Sequence, residues 1–135
     1  MPKLLTVIIP CYNEEENIKY FYEEFCKNDA YFLKHAIMYQ LIFVDDGSTD
    51  KTATEIKNLH QKDKRIKLIS FSRNFGKEAA IYAGLEHASG NLVAIMDVDL
   101  QDPPSLLPQM IDEIFAGADQ VVARRTARKG EPRIR

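Results

Sequence analysis

With 135 residues, of which 45% are hydrophobic and 28% charged, the chain has the size and composition of a single globular domain. Its net charge of -2 gives no indication of nucleic-acid binding, and no apolar run approaches the roughly 18 residues that a membrane-spanning helix requires. The two cysteines, Cys11 and Cys26, form no Cys-x-x-Cys pair, and no signal peptide precedes the first apolar run. We therefore expect reduced thiols in or near the core of a cytoplasmic protein.

Five apolar, β-branched runs predict β-strands. Their near-continuous hydrophobicity is typical of strands that are buried on both faces of a parallel sheet. In chain order, the predicted strands are Leu5–Ile9, Gln40–Val44, Ile66–Phe71, Leu92–Met96 and Gln120–Ala123.

Helical patterns separate these strands. The first and the last of them repeat apolar residues at i, i+3, i+4 and i+7, which is the spacing of one helix face. The third is rich in Ala and Leu and has Gly84 as a weak point. The predicted helical segments are 18–25, 53–59, 77–88 and 107–114.

Two signals predict where helices begin. Asn13 and Glu16, three residues apart, resemble a capping box ahead of the first helix. Asp102 followed by Pro103 is typical of an N-cap and a first helical position, so we expect the last helix to start at Pro103.

The alternation of strands and helices predicts a doubly wound α/β fold with a mainly parallel sheet, helices on both faces and right-handed crossovers. We expect one domain over residues 1–123. Residues 124–135 form a basic segment of charge +5, with six Lys or Arg against one Glu, which we interpret as truncated. This segment either approaches anionic lipid headgroups or forms a solvated end.

Polar side chains collect where the predicted strands end. In open α/β sheets, ligands bind beyond the carboxyl ends of the strands. All five predicted strands deliver polar or charged side chains to this edge, which therefore carries both acids and cations. The segments concerned are 10–14, 45–50, 72–77, 97–101 and 124–125.

Asp97 and Asp99 follow the fourth predicted strand and are two residues apart. Because side chains alternate between the faces of a strand, we expect both carboxylates to leave the sheet on the same side. Paired carboxylates are suitable ligands for Mg²⁺ or Mn²⁺, and a metal there could neutralise a departing diphosphate. The alternative is a solvated loop in which Asp102 caps the following helix.

The other side chains of this edge suit a nucleoside diphosphate. Asp45 and Asp46 could accept hydrogen bonds from a ribose or a base, Arg73 and Lys77 could meet phosphate oxygens, and Tyr12 could pack against a base. Each has an alternative. The aspartates could cap a helix from about residue 50, Arg73 could be a surface residue, and Lys77 could belong to a solvated helix face.

The segments 7–15 (VIIPCYNEE), 44–50 (VDDGSTD) and 97–99 (DVD) resemble family 2 glycosyltransferases of the GT-A fold. Two further segments, 72–80 (SRNFGKEAA) and 97–104 (DVDLQDPP), are similar to the polyprenyl-phosphate branch of that family. The branch includes bactoprenol glucosyltransferases and dolichyl-phosphate mannose synthases. The resemblance spans nearly the whole chain, with the segments in the same order.

The resemblance implies transfer of a sugar, with inversion, from a nucleotide sugar to a polyprenyl phosphate, with Mg²⁺ or Mn²⁺ as cofactor. A UDP-sugar is preferred as the donor over a GDP-sugar, and nucleic acid is not a partner. The full-length protein is expected at the cytoplasmic face of the membrane, in cell-envelope synthesis, and this chain alone is expected to be soluble and cytoplasmic. The residues that would frame the nucleoside are Pro10, Tyr12, Glu14 and Asp45.

The family pattern also implies the residues of catalysis. Asp97 would lie by the ribose, the diphosphate and the metal, and Asp99 and Gln101 would complete the metal site. Arg124 and Arg125 resemble the arginines that meet phosphate groups near the acceptor.

Members of this family continue beyond the segment matched here, usually with two membrane helices. We therefore expect that this chain binds a metal–nucleotide complex but is a poor catalyst alone. A non-catalytic nucleotide-sugar-binding module stays open as an alternative. A receiver-type signalling domain would carry its acidic pair at the end of the first strand and a Lys at the end of the fifth, where this chain has the segment 10–13 (PCYN) and two arginines. A dinucleotide-binding oxidoreductase would carry Gly-x-Gly-x-x-Gly after the first strand, and that motif is missing.

Overall fold

The computed structural model describes residues 3–101 and 103–121. Within them, a sheet of four parallel strands has the order β3-β2-β1-β4. The strands are β1 (Lys3–Cys11), β2 (Ile37–Asp45), β3 (Ile66–Ser70) and β4 (Leu92–Ile95). Each overlaps a predicted strand, so the predicted parallel sheet is confirmed.

Five α-helices connect and follow these strands in the described part of the chain, and helix α5 is preceded by a 3-10 turn over Pro104–Leu106. None of the described helices is long and apolar enough to cross a membrane. The α-helices are α1 (Ile18–Cys26), α2 (Asp29–Lys34), α3 (Thr52–Lys62), α4 (Lys77–Glu86) and α5 (Leu107–Phe115).

The central strand β1 is buried on both faces, which separates two layers of helices. On one face, Leu5, Val7 and Ile9 of β1 join a core that includes residues of α1, α2, α3 and α5. On the other face, Ile8 packs with Ala80 of α4. A Cβ added to Gly84 of α4 would lie 2.4 Å from Cγ2 of Ile8, so this glycine allows the helix to approach the sheet closely. The predicted arrangement with helices on both faces is confirmed.

The strand register brings the carboxyl ends of the strands together. Cys11 lies opposite Asp45, which in turn lies opposite Ser70, and Ile8 lies opposite Ile95. The loops that follow all four strands therefore emerge at one edge of the sheet, where ligands bind in folds of this kind.

The predicted capping box at Asn13 and Glu16 is wrong. Helix α1 begins at Ile18, and its N-cap residue, Asn17, makes no side-chain capping hydrogen bond. Asn13 has a positive φ of 53° and lies outside the helix. Its Oδ1 accepts a hydrogen bond of 2.8 Å from the backbone N–H of Thr49, so a contact with the loop after β2 replaces the expected local one.

Three further differences concern short segments. The last helical segment starts with the 3-10 turn at Pro104 rather than with an α-helix at Pro103, and Asp102 lies outside the described residues. Gln120 and Val121 are not in a strand, and the rest of the predicted fifth strand lies outside the described residues. Helix α2 was not predicted, because its six residues bury one side chain, Phe32, and show no repeat.

The Asp63 carboxylate, just after α3, accepts hydrogen bonds from four donors, one of which is the backbone N–H of Arg65 at 3.0 Å. Nε and Nη2 of Arg65 donate to it over 2.9 and 2.8 Å, and the Tyr22 hydroxyl donates over 2.7 Å. The hydrogen bonds from Arg65, aided by the one from Tyr22, outweigh the effect of burial and hold the pKa of this carboxyl well below its usual range.

We expect Asp63→Asn to lower the free energy of unfolding at pH 7 by about 1–3 kcal/mol, because hydrogen bonds to an ionised group are lost. Because the pKa of Asp63 is lower in the folded state, its ionised carboxylate stabilises the fold fully at pH values above its unfolded-state pKa of about 3.9. This stabilisation is lost as the pH falls through the folded-state pKa. The difference between wild type and variant should therefore shrink below about pH 4. Urea unfolding across this range measures it, with the exposed Glu86→Gln as control. A difference that is constant with pH would contradict the expectation.

Candidate functional site

A polar hollow of about 340 Å³ lies at the carboxyl edge of the sheet. The loops after β1, β2 and β4 and the first residue of α4 contribute to it. All of its lining residues except Cys11 and Val98 were predicted as site residues from the sequence. They are Pro10, Cys11, Tyr12, Glu14, Asp46, Lys77, Asp97, Val98, Asp99 and Gln101.

The loop after β1 is fixed by hydrogen bonds to the loop after β2. The backbone N–H of Asn13 donates to Oγ of Ser48 over 2.8 Å, and that of Glu14 donates to Oγ1 of Thr52 over 2.9 Å. The Glu14 carboxylate also accepts a 2.8 Å hydrogen bond from the Asn17 amide. These contacts hold the backbone beside Tyr12, whose ring stays 47% exposed at the mouth of the hollow.

Asp46 joins the loop after β2 to the loop after β3. Its carboxylate accepts hydrogen bonds from the backbone N–H of Phe75 at 2.7 Å and of Gly76 at 3.0 Å, and from the Asn74 amide at 3.2 Å. Only 4% of Asp46 is exposed. A buried carboxylate with several donors is firmly held, so Asp46 fixes the chain that leads into Lys77.

Gly47 allows the same two loops to touch. Its φ is +74°, and a Cβ added to it would lie 2.2 Å from the backbone carbon of Arg73. The close approach and the positive φ both require glycine at this position. Gly47 therefore serves the turn.

The aspartates after β2 do not cap helix α3. The N-cap residue of α3 is Lys51, which makes no side-chain capping hydrogen bond. Just before it, Oδ1 of Asp50 accepts a 2.9 Å hydrogen bond from the Thr52 N–H, and Oδ2 accepts one of 3.3 Å from the Glu15 N–H. The carboxylate of Asp45 is buried and accepts a 3.1 Å hydrogen bond from the Ser48 N–H. The alternative in which Asp45 or Asp46 caps the helix is therefore wrong.

Asp97 and Asp99 line the hollow together, but not as strand residues. Strand β4 ends at Ile95, and the two carboxylates lie in the following turn. The in-and-out alternation nevertheless continues, because Val98 between them is only 2% exposed and joins the core. Burial of Val98 therefore directs both aspartates to the same side, which was the predicted outcome.

Each of these two carboxylates has a partner within the chain. Nζ of Lys77 lies 2.7 Å from Oδ1 of Asp97 in an ion pair that is open to solvent. Gln101 donates to Asp99 from its backbone N–H over 3.2 Å and from its side-chain amide over 2.9 Å. The predicted metal ligands Asp97, Asp99 and Gln101 are thus neighbours around one hollow.

The donor atoms of this group fit a hard divalent cation in part. In the described ranges, no three His, Cys, Asp or Glu side chains cluster as a complete metal site. Mg²⁺ is usually held by one or two carboxylates together with water and substrate phosphates, so a complete protein cage is not required. Asp97, Asp99 and the Gln101 amide oxygen could hold such an ion once a diphosphate supplies further oxygens.

Several predicted site residues do not line the hollow. Asp45 is buried and lies opposite Cys11 on the neighbouring strand, and the guanidinium of Arg73 lies 4.5 Å from the centre of the Phe75 ring. The backbone amides of Phe75 and Gly76, near the start of α4, are already bonded to Asp46. Arg124 and Arg125 lie outside the described residues.

Cys11, whose thiol was expected in or near the core, also lines the hollow. Both cysteines are free, as predicted. Burial raises the pKa of the Cys11 thiol, and the nearby charges of Asp45 and Glu14 raise it further, so the thiol stays protonated. Its position between Pro10 and Tyr12 was the signal that it would lie at the floor of the site.

A second hollow of about 450 Å³ lies between β4 and α5 and is mainly apolar. Val93 and Ile95, which are 48% and 49% exposed, form one of its walls. It contains none of the predicted site residues, so the polar hollow is the candidate functional site.

Residues 6–135 match the family described as Glycosyl transferase family 2. The chain belongs to this family, as its sequence segments indicated.

The curated relatives are longer than this chain. It is 47% identical over 132 residues to CsbB of Bacillus subtilis (strain 168), which is provisionally named a glycosyltransferase, covering 98% of the chain and 39% of the relative. It is 41% identical over 134 residues to the bactoprenol glucosyl transferase of Shigella phage SfV, covering 97% of the chain and 42% of that protein. The chain thus spans about two-fifths of the length of the relatives it matches.

Two solved structures share the fold. The mannosyltransferase PcManGT from Pyrobaculum calidifontis, in complex with GDP-Man and Mn²⁺, is 26% identical with a TM-score of 0.68, over 82% of this chain and 32% of its own. TarS of S. aureus, residues 1–349 in complex with UDP-GlcNAc, is 27% identical with a TM-score of 0.62, over 84% of this chain and 32% of its own. The predicted GT-A fold is confirmed.

We expect Asp46→Ala to lower the free energy of unfolding by about 2–4 kcal/mol, because the amides of Phe75 and Gly76 lose a charged acceptor. Hydrogen exchange of these two amides should accelerate. Asp45→Ala is a matched control, since it removes a buried carboxylate that accepts a hydrogen bond from one backbone amide, Ser48. Equal losses in both variants, or unchanged exchange at Phe75 and Gly76, would show that Asp46 does not hold this loop.

Proposed function

We propose that the chain forms the donor-binding part of a glycosyltransferase that moves a sugar from a nucleotide-diphosphate sugar to a polyprenyl phosphate, with inversion and with assistance from Mg²⁺ or Mn²⁺. A UDP-sugar is the preferred donor, and a GDP-sugar is the alternative. The observation that carries the proposal is the meeting of Asp97, Asp99 and Gln101 with Tyr12 and Glu14 around one polar hollow. Membership of family 2 supports glycosyl transfer as the reaction class.

The two sides of the hollow suit the two ends of a nucleotide. The Tyr12 ring and the Glu14 carboxylate stand on the β1 side, and a base could stack on the ring while the ribose donates to a carboxylate. Asp97 and Asp99 stand on the β4 side, where a metal-bound diphosphate would lie. Asp46, proposed as a donor ligand from the sequence, acts in this scheme by positioning the loop before Lys77.

The main chemical requirement of the proposed reaction is to stabilise the negative charge of the leaving group. A phosphate acceptor is already anionic, so no strong base has to deprotonate it, whereas the departing nucleoside diphosphate must be stabilised. The divalent ion, when bound, supplies a Lewis acid for that charge. Asp97, Asp99 and Gln101 hold it in place, and the fixed loops orient the donor, which lowers the entropic cost of reaction.

The acceptor is proposed from the relatives. The protein of Shigella phage SfV is named a bactoprenol glucosyl transferase, which supports a polyprenyl phosphate as the acceptor class. Arg124 and Arg125 stay predicted phosphate contacts on that side. Arg73 and Lys77 stay predicted phosphate contacts on the donor side.

Calorimetric titration with UDP, GDP and their sugars, with and without Mn²⁺, tests the donor site. We expect a nucleotide to bind in the presence of Mn²⁺ and Asp99→Ala to abolish this metal-dependent binding without unfolding the chain. Glu86→Ala is the control, because it removes an exposed carboxylate that does not line the hollow. If wild type binds no nucleotide with any metal, the proposed function fails. Unchanged binding by the Asp99 variant would remove Asp99 from the metal site.

Substitution of Tyr12 tests the place of the base. We expect Tyr12→Ala to weaken nucleotide binding by roughly 5- to 150-fold, since stacking of a base on an aromatic ring contributes about 1–3 kcal/mol. Tyr12→Phe should bind nearly as well as wild type. Tyr20→Ala, which removes a ring that is also exposed but lies outside the hollow, should have no effect. Equal affinities of the Tyr12→Ala variant and wild type would place the base elsewhere.

A further inference from the structure

Lys77 and Asp97 form an ion pair between two elements that start far apart in the sheet. Lys77 follows β3 at one edge of the described sheet, and Asp97 follows β4 at the other. The pair forms because α4 crosses back over the sheet and packs on Ile8 of the central strand. The 2.7 Å contact therefore joins two residues that both line the candidate site.

The fold fixes the backbone of Lys77, whereas the ammonium at the end of its side chain is free to move. The residues before it are bonded to the buried Asp46, which fixes the start of α4. The Lys77 side chain is 60% exposed and that of Asp97 is 33% exposed. An ion pair that is this open to solvent is weak and exchanges readily.

The ion pair of Lys77 with Asp97 competes with a divalent cation for the Asp97 carboxylate. A divalent ion bound to Asp97 would lie about 2.1 Å from a carboxylate oxygen, so an ammonium that kept its own contact with that group would be a close like-charged neighbour. The ammonium must then leave Asp97. Its backbone stays at the hollow, where a diphosphate would be the nearest new anion.

We infer that Lys77 is an internal counter-ion of Asp97. Its ammonium opposes metal binding when no nucleotide is present, and it moves to the diphosphate when metal and nucleotide bind together. This inference rests on the proposed function of the site. The consequence is coupling: the bare metal has to displace the lysine without compensation, whereas the metal–nucleotide complex supplies the displaced ammonium with a phosphate partner. Lys77 thereby favours loading of metal and donor as one unit.

The test compares wild type with Lys77→Met and Lys77→Arg. Calorimetry measures the affinity for Mn²⁺ alone and the affinity for UDP or GDP at saturating Mn²⁺. In Lys77→Met we expect Mn²⁺ alone to bind about 2- to 5-fold more tightly, from loss of an exposed competing ion pair. The nucleotide should bind about 10-fold less tightly, from loss of a charge-assisted contact. Lys77→Arg, which keeps the charge, should stay close to wild type in both measurements.

Lys57→Met is the matched control, because it removes an exposed lysine of α3 outside the hollow and changes the net charge equally. No gain in Mn²⁺ affinity in Lys77→Met, or the same gain in the control, overturns the inference. So does nucleotide affinity that is unchanged in Lys77→Met. Failure of wild type itself to bind nucleotide with Mn²⁺ is a different result, which overturns the proposed function and this inference with it.

Discussion

The parallel pairing of β1 with β2 on one side and β4 on the other is the constraint on which the site depends. Because these strands run in one direction and in fixed register, their carboxyl ends meet at one edge. Burial of β1 on both faces makes this register hard to shift, since a slip of one residue would exchange the side chains that face the two layers of helices. The common edge at which Tyr12, Asp97 and Asp99 lie follows from that pairing.

Hydrogen bonds between loops then convert an edge of the sheet into a defined hollow. The loop after β1 is bonded to the loop after β2, which is bonded through Asp46 to the loop after β3. The polar atoms that make these bonds already have hydrogen-bond partners within the protein. Tyr12 and the ion pair of Lys77 with Asp97, in contrast, are open to solvent. A site of this kind is rigid in its backbone and adjustable in a few side chains, which suits the exchange of charged ligands.

The sequence allowed the fold class and most of the lining residues to be predicted, because apolar runs and strand-end motifs are local patterns. It did not allow the roles of Asn13 and Asp46 to be predicted. Asn13 accepts a hydrogen bond from a residue 36 positions away and Asp46 from one 29 positions away, and no local pattern encodes such partners. Asp97 and Asp99 were placed correctly although β4 ends before them, because the buried Val98 preserves the alternation.

Strand β4 has a consequence for how the chain behaves in solution. It lies at an edge of the described sheet, and the exposed Val93 and Ile95 give that edge an apolar surface. The run from Leu92 to Met96 contains no charge and no proline, the features that protect natural edge strands from pairing with another chain. Within the described sheet, the β4 edge therefore offers its backbone to pairing with another chain, and a charged residue in place of Val93 would be the first means of suppressing such pairing.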